Sequence, residues 1–478
     1  MLRRIKFYMK RSWNSPTLMT WGNMVSSSVK LLVLTPLILT KYNINEIAFW
    51  YLLLTINSFA IVIDFGFYPT FSRAVSFAFH GLESLENIDD RRKPSNGLPN
   101  WNLMQKIYGT INSTYLFLSF GVVIIIFALT YSPVKHVIDK TNDQPQLWLA
   151  YILYALSVLA SFFSKKFDSV IIGTNNIVLI NRWDIINNAL NTLVSIVIVY
   201  FGCKLYVLAL NQLLFSLILL IRDYYLERSI CDGKFKQFKF FAYFKDVFYW
   251  CWGPIWKSGI LILCSTGINQ ASGLIYSGVS DTASLAAYLL TLKLVTTIAQ
   301  FSQAPFYSKL PQFSGSRVKN DMPGLINSSA SSMMKALFVF VIGILVLIFA
   351  GDWILIEIHS KARLINYQII MFMGLVWFLE RNHAMHAQVY VTTNKIPFYK
   401  SAIVSGIINL GLIVLLLPKI GLWAFPLAQG ISNLLINNWW NVMLSITSMK
   451  VSYREYITKS ALYPLLLLIF FYCIRIFI

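Results

Sequence analysis

The sequence has 478 residues, of which 57% are hydrophobic and 13% charged, with a mean hydropathy of +0.61 and a formal net charge of +20. Soluble domains carry about 25% charged residues, so water is not the main solvent of this chain. Strand alternation is absent and a bilayer satisfies no open backbone group, so a helical bundle is favoured over a barrel.

The basic stretch Met1 to Arg11 precedes an apolar segment over 18–40. That segment is long enough to cross about 30 Å of hydrocarbon and has no clear small-residue cleavage site, so it reads as a span and not as a signal peptide. Lys30 lies about 12 residues into it, near the bilayer middle at ~1.5 Å per residue. An ammonium there costs about 2.5 to 3.5 kcal/mol, so it is either paired structurally or exposed to a cavity for an anionic substrate. The second reading is preferred.

The next span, 47–70, holds Asp64 near its inner end, in Asp64-Phe65-Gly66-Phe67, nine residues before Arg73. An acid beside a glycine closes a helix or pairs with a neighbouring cation. It also makes Asp64 and Arg73 candidates for gating or coupling. A hydrophilic segment over 71–106 follows, with Glu83, Glu86, Asp89, Asp90, Arg91, Arg92 and Lys93, too short to fold as a soluble domain.

Spans at 107–130, 147–164, 183–201 and 204–221 complete an N-terminal six-helix lobe, residues 1–221. Residues 222–250, with Lys234, Lys236 and Lys239, read as a basic cytoplasmic linker. A C-terminal six-helix lobe then occupies 251–446, with spans at 251–277, 282–305, 336–351, 365–391, 401–417 and 421–446. Lys257 enters its first span by only a few residues, where snorkelling competes with a cavity role. Lys293 lies about 11 residues into the following span, near mid-membrane like Lys30.

Glu380 and Arg381 sit together in the span 365–391, close to His383 and His386. The pair either neutralises itself or supplies a cavity cation and a coupling acid, and a carboxylate near an imidazole is suited to passing a proton. His383 and His386 share a helix face, but two ligands make no metal site. Residues 447–478 form a cytoplasmic segment and an accessory helix over 460–478, which either adds a thirteenth span to the twelve or lies on the membrane surface. The five cysteines lack CxxC spacing and read as packing residues.

Sidedness follows from charge. With the N-terminus inside, the inner segments hold 28 Lys and Arg, against eight outside. The net charge is then topology plus attraction to anionic membrane lipids, not a nucleic-acid footprint. An offset of 219 residues pairs Val170, Thr174, Asn175, Ile177, Leu193, Gly202, Leu208 and Ala209 with Val389, Thr393, Asn394, Ile396, Leu412, Gly421, Leu427 and Ala428. Parallel repeats of this kind are a transporter architecture with the cargo site near the midplane. No GxxxxGK[ST] occurs, so no nucleotide or other cofactor is expected and an ion gradient, H+ or Na+, supplies any driving force.

The stretch IVIDFGFYPTFSRAV, Ile61 to Val75, resembles the Asp-x-Gly…Arg pattern at the end of the second helix in bacterial polysaccharide-lipid flippases. Those O-antigen and oligosaccharide flippases belong to the multidrug/oligosaccharidyl-lipid/polysaccharide exporter superfamily. Softer matches are Leu285-Ala286-Ala287-Tyr288, Pro305, Pro311 and Gly421 to Gly430. The resemblance implies an all-α, MATE-like fold of two pseudo-symmetric six-helix lobes, with a V-shaped cleft lined by helices 1, 2, 7 and 8. Lys30, Asp64, Lys257 and Lys293 fall on those helices. It also implies a cargo of undecaprenyl-pyrophosphate-linked oligosaccharide, carried from the cytoplasmic to the periplasmic leaflet of the bacterial inner membrane. Polymerase and chain-length proteins of surface-glycan assembly are the implied partners. The thirteenth span departs from the twelve-helix pattern. A membrane glycosyltransferase or polymerase is disfavoured, because the outer loop 41–46 has one acid and no outer loop is long. A drug exporter of the same fold is disfavoured by buried cations outnumbering buried acids.

Overall fold

The apolar runs are helical throughout the computed structural model, which describes residues 13, 15–82, 98–141, 143–239, 242–318, 321–393 and 397–477. In lipid every N–H and C=O needs a partner within its own segment, and a helix supplies one. The described residues contain no strand. Met1 to Arg11, the run Glu83 to Lys93 and the repeat positions Asn394 and Ile396 lie outside the described residues.

Helix α1 covers Pro16–Lys41, α2 Ile44–Ile63, α3 Phe67–Phe79, α4 Trp101–Ile138, α5 Gln144–Gly173, α6 Ile177–Tyr200 and α7 Leu205–Ser229. A 3-10 turn at Cys231–Gln237 leads to α8, Lys245–Ile262, then α9, Ile268–Ser277, and α10, Thr282–Ser302. Two short helices, α11 Ala304–Tyr307 and α12 Leu310–Val318, precede α13, Met322–Glu357, and α14, Tyr367–Val391. The remainder is α15 Phe398–Ile420, α16 Ala424–Ser432, α17 Asn438–Met449, α18 Tyr453–Ile457 and α19 Tyr463–Phe477. Eight helical stretches among the described residues are long and apolar enough to cross a membrane.

The chain divides into two compact units, one of residues 1–41 and 52–263, the other of 42–51 and 264–478. In the first, α5 packs along α7 and α1 along α6. An aromatic core of Phe71, Tyr115 and Phe162, each at most 1% exposed, joins α3, α4 and α5. In the second, α13 packs against α10, α14 and α19, and Phe306 stacks near Phe313 at 5.3 Å between centroids. Outward faces are apolar, with Phe117 72%, Ile124 69% and Val414 72% exposed. In water such faces seek partners, whereas hydrocarbon solvates them.

Several boundaries differ from hydropathy for physical reasons. The run 47–70 is not one helix: Phe65 (φ 49°) and Gly66 (φ 82°) adopt the left-handed region and separate α2 from α3. Part of the expected linker 222–250 is helix, since α7 continues to Ser229. Helix α13 extends the expected 336–351 at both ends, because helical hydrogen bonding does not stop at the hydrocarbon boundary. Three π turns, at Leu263–Gly267, Asn433–Asn437 and Thr458–Leu462, interrupt otherwise continuous helices. The last of these precedes α19, and residues 453–477 meet the length and hydropathy of a span.

Candidate functional site

The polar groups inside the helices form one set in each unit. In the first unit, Lys30 Nζ donates to Gln212 Oε1 on α7 at 2.9 Å. The same oxygen accepts from Asn191 Nδ2 at 3.3 Å, and Asn211 Nδ2 donates to Asn191 Oδ1 at 2.9 Å. Among the described residues, the Lys30 ammonium therefore meets the Gln212 amide and no carboxylate. About two turns earlier along α1, Asn23 Nδ2 donates to Asn181 Oδ1 (3.0 Å) and Asp184 Oδ2 (3.1 Å), while Asn188 Nδ2 donates to Asn23 Oδ1 (3.2 Å). Asn181, Asp184, Asn188 and Asn191 recur every three or four residues, which puts them on one face of α6. That spacing was readable in the sequence, but a search for charge alone passes over amides.

Arg222 pairs two acids of this unit, whereas Asp168 Oδ1 and Glu227 Oε1 are buried without a hydrogen-bond partner among the described residues. Arg222 Nη1 donates to Asp184 Oδ1 at 2.7 Å and its Nε to Asp223 Oδ1 at 2.7 Å. Ser164 Oγ donates to Asp223 Oδ2. Asp64 is 5% exposed, and its Oδ1 accepts from Tyr115 Oη at 2.8 Å. Its Oδ2 accepts from the Tyr68 N–H at 3.3 Å, tying the acid to the first turn of α3, where helix N–H groups are open. The cation near it is Lys165, at 3.9 Å. Arg73 is exposed and bonds its own helix, through Nε to the Pro69 carbonyl at 3.3 Å, so the Asp64 and Arg73 of the sequence pattern do not pair. Lys257 lies over the Trp256 ring at 6.0 Å. Lys166 is 1% exposed, with its ammonium 3.7 Å from the Phe163 centroid and 4.5 Å from that of Phe167. Hydropathy leaves Lys165, Lys166 and Arg222 in loops. The extended α5 and α7 carry them inward.

The break after α2 is held by a close fit. Phe65 lies on Gly259 of α8, where a Cβ would stand 2.2 Å from the ring, and a Cβ on Gly66 would stand 2.8 Å from Ser258 Cβ. Both positions need glycine, the second also for its positive φ.

In the second unit, Glu380 is 8% exposed. Its Oε1 accepts from Arg381 Nη2 at 2.9 Å and its Oε2 from Gln429 Nε2. The Arg381 guanidinium also lies 5.6 Å from the Trp377 ring centroid. Arg381 is thus neutralised by its neighbour. His383 Nδ1 donates to Asn438 Oδ1 at 2.7 Å, and His386, fully buried, has no hydrogen-bond partner among the described residues. No group of three metal-ligating side chains occurs among those residues. Lys293 makes no side-chain hydrogen bond or ion pair among them; only its backbone carbonyl is engaged, by Thr296 and Thr297. Beside Gln429 is a cavity of about 20 Å³, lined also by Ser272, Tyr288, Trp377, Asn409 and Phe425. The buried Asn409 Oδ1 finds no partner there. A volume of that order admits one water or a small cation.

Neither a protein-family model nor a curated protein matches this sequence. Solved structures do. An inward-facing MATE-family multidrug resistance transporter of the MOP superfamily is similar at TM-score 0.63 and 11% identity, over 91% of this chain and 96% of that one. The MATE multidrug transporter DinF-BH gives 0.62 and 15%, over 92% and 97%. The lipid II flippase MurJ, in an inward closed conformation, gives 0.57 and 12%, over 96% and 92%. At these identities the likeness is one of fold, and this chain is an all-helical, multi-pass membrane protein with the MATE-like fold.

Proposed function

We propose that this chain is a flippase that moves an anionic, lipid-linked oligosaccharide across the membrane, with undecaprenyl pyrophosphate as the lipid carrier. The fold is shared with multidrug transporters and with a lipid II flippase, so it leaves cargo class open. Counting charges does not favour either cargo, since the buried acids Asp64, Asp223, Glu227 and Glu380 outnumber the buried Lys166 among the described residues, contrary to the sequence expectation; the surroundings of Lys30 favour the flippase. The supporting observation is that Lys30, far from either end of α1, is held by the amide of Gln212 and meets no carboxylate among the described residues. A cation without a counter-charge is suited to a pyrophosphate and repels a cationic drug. Lys293 repeats that condition in the second unit. Transport runs from the cytoplasmic to the periplasmic leaflet in this reading, and Glu380, with Asn409 and Gln429 around the small cavity, is the candidate coupling group for H+ or Na+.

The test is complementation of surface glycan in a strain lacking its own flippase. Lys30→Gln and Lys293→Gln are expected to remove the glycan at normal protein level. Full glycan in both variants, or uptake of a cationic dye by the wild-type chain in vesicles, would overturn the reading.

A further inference from the structure

Between α7 and α8, residues 231–239 and 242–244 form a strap fastened to the first part of α4. Three consecutive left-handed residues, Cys231, Asp232 and Gly233 (φ 51°, 54° and 76°), reverse the chain's direction. Phe235, 1% exposed, then inserts between Trp101 and Tyr108, at 6.4 and 5.7 Å between centroids. Phe238 packs on the same two rings at 6.3 and 5.8 Å. Farther along, Ala242 lies on Gly109, where a Cβ would stand 2.5 Å from the Ala242 carbonyl oxygen. The Phe244 N–H donates to Thr110 Oγ1 at 3.3 Å. Four residues of the strap and its exit are thus fastened along one helix.

With the phenylalanines turned inward, Lys234, Lys236 and Lys239 are exposed, and Lys245 opens α8 beside them. The exposed acids of the stretch are Asp232 and Asp246, leaving an excess of positive charge. Tyr243, Tyr249 and Trp252, exposed by 47%, 71% and 43%, accompany the lysines. Exposed Tyr and Trp of this kind settle at the headgroup level of a bilayer, and lysines near that level attract anionic lipid.

We infer that residues 231–239 and 242–252 present a preformed binding surface for anionic phospholipid headgroups of the adjoining leaflet. The aromatic fastening removes the ordering entropy that a free basic linker loses on binding, so the charges stand ready at the membrane surface. The site is independent of the transported cargo.

The full-length chain is purified in detergent, and retention of phosphatidylglycerol is compared with that of phosphatidylcholine by native mass spectrometry. Wild type is expected to retain phosphatidylglycerol in preference, with the preference falling as salt is raised. K234Q/K236Q/K239Q alters exposed side chains only and is expected to weaken that preference at least tenfold, at about 1 kcal/mol per lysine near the surface. The triple arginine variant is expected to keep it. Equal preference in wild type and the glutamine variant overturns the inference, as does an arginine variant that fails to restore it. Loss of glycan complementation in the Lys30 variant with lipid preference intact would separate this surface from the cargo site.

Discussion

Lys30 on α1 and Gln212 on α7 are 182 residues apart and meet through one hydrogen bond of 2.9 Å from ammonium to amide oxygen. The bond positions the lysine without cancelling its charge. Gln212→Glu preserves the shape and supplies a counter-ion, so it is expected to lower transport of an anionic cargo by tenfold or more at unchanged protein level. A charge-assisted bond of about 1.5 to 3 kcal/mol sets that scale. Lys30→Arg keeps the charge and should retain most activity. Flipping of a fluorescent lipid-linked saccharide in vesicles measures both, and a fully active Gln212→Glu variant would show that the charge of Lys30 is irrelevant.

Arg222 joins Asp184 on α6 to Asp223 on its own helix. Arg222→Gln leaves two carboxylates inside the helices without their cation, which is expected to destabilise by about 3 to 5 kcal/mol. The melting temperature in detergent should fall accordingly. The triple variant R222M/D184N/D223N removes the charges together and should regain most of the loss. A triple variant no better than the single one contradicts this account.

At the break between α2 and α3, Gly66→Ala and Gly259→Ala each introduce a methyl group where Ser258 or the Phe65 ring already stands. Overpacking of this kind costs about 1 to 3 kcal/mol. Gly66→Ala adds the strain of a positive φ and should be the more harmful. Size-exclusion profiles after graded heating would rank the two, and wild-type behaviour in both would refute the close fit.

Tyr456 is fully buried, its hydroxyl 2.8 Å from Ser329 Oγ and its ring 5.3 Å from that of His386. Tyr456→Phe removes the hydrogen bond at about 1 kcal/mol. Tyr456→Ala opens a cavity at about 3 to 5 kcal/mol. The alanine variant should expose residues 447–478 to limited proteolysis while the phenylalanine variant resists. Equal resistance would mean that Tyr456 does not anchor this segment.

Asn409 separates a structural from a functional role for the small cavity. Replacing a buried amide whose oxygen has no partner by leucine is expected to leave stability within about 1 kcal/mol or improve it. Gradient-driven transport should nonetheless fall in Asn409→Leu, because the cavity is filled and its oxygen removed. Undiminished gradient-driven transport would remove the cavity from the coupling proposal.

The spans were legible because lipid imposes length and apolarity on any helix that crosses it. The helix ends were not, since Arg222 and Lys165 are polar yet lie within α7 and α5. Hydropathy registers solvent, whereas a helix ends where its hydrogen bonds do. Lys30 and Lys293 were found because a charge in an apolar run stands out. The ladder from Asn181 to Asn191 was missed because its residues are individually ordinary and acquire meaning only from helical spacing and from Asn23 opposite. The π turns leave no residue signature. The Phe65–Gly259 contact needed coordinates, because nothing in sequence brings residues that distant together.

The amide ladder also bears on how the molecule is assembled. Apolar helix faces have little reason to prefer one another over lipid, so directional hydrogen bonds give α1 its place beside α6. Asn23 finds its partners 158 to 165 residues later in the chain. Until α6 and α7 have been synthesised and inserted, Asn23 and Lys30 lack the side-chain partners they have in the folded chain. The polar face of α1 is therefore completed only by helices that follow it by more than 150 residues in the chain.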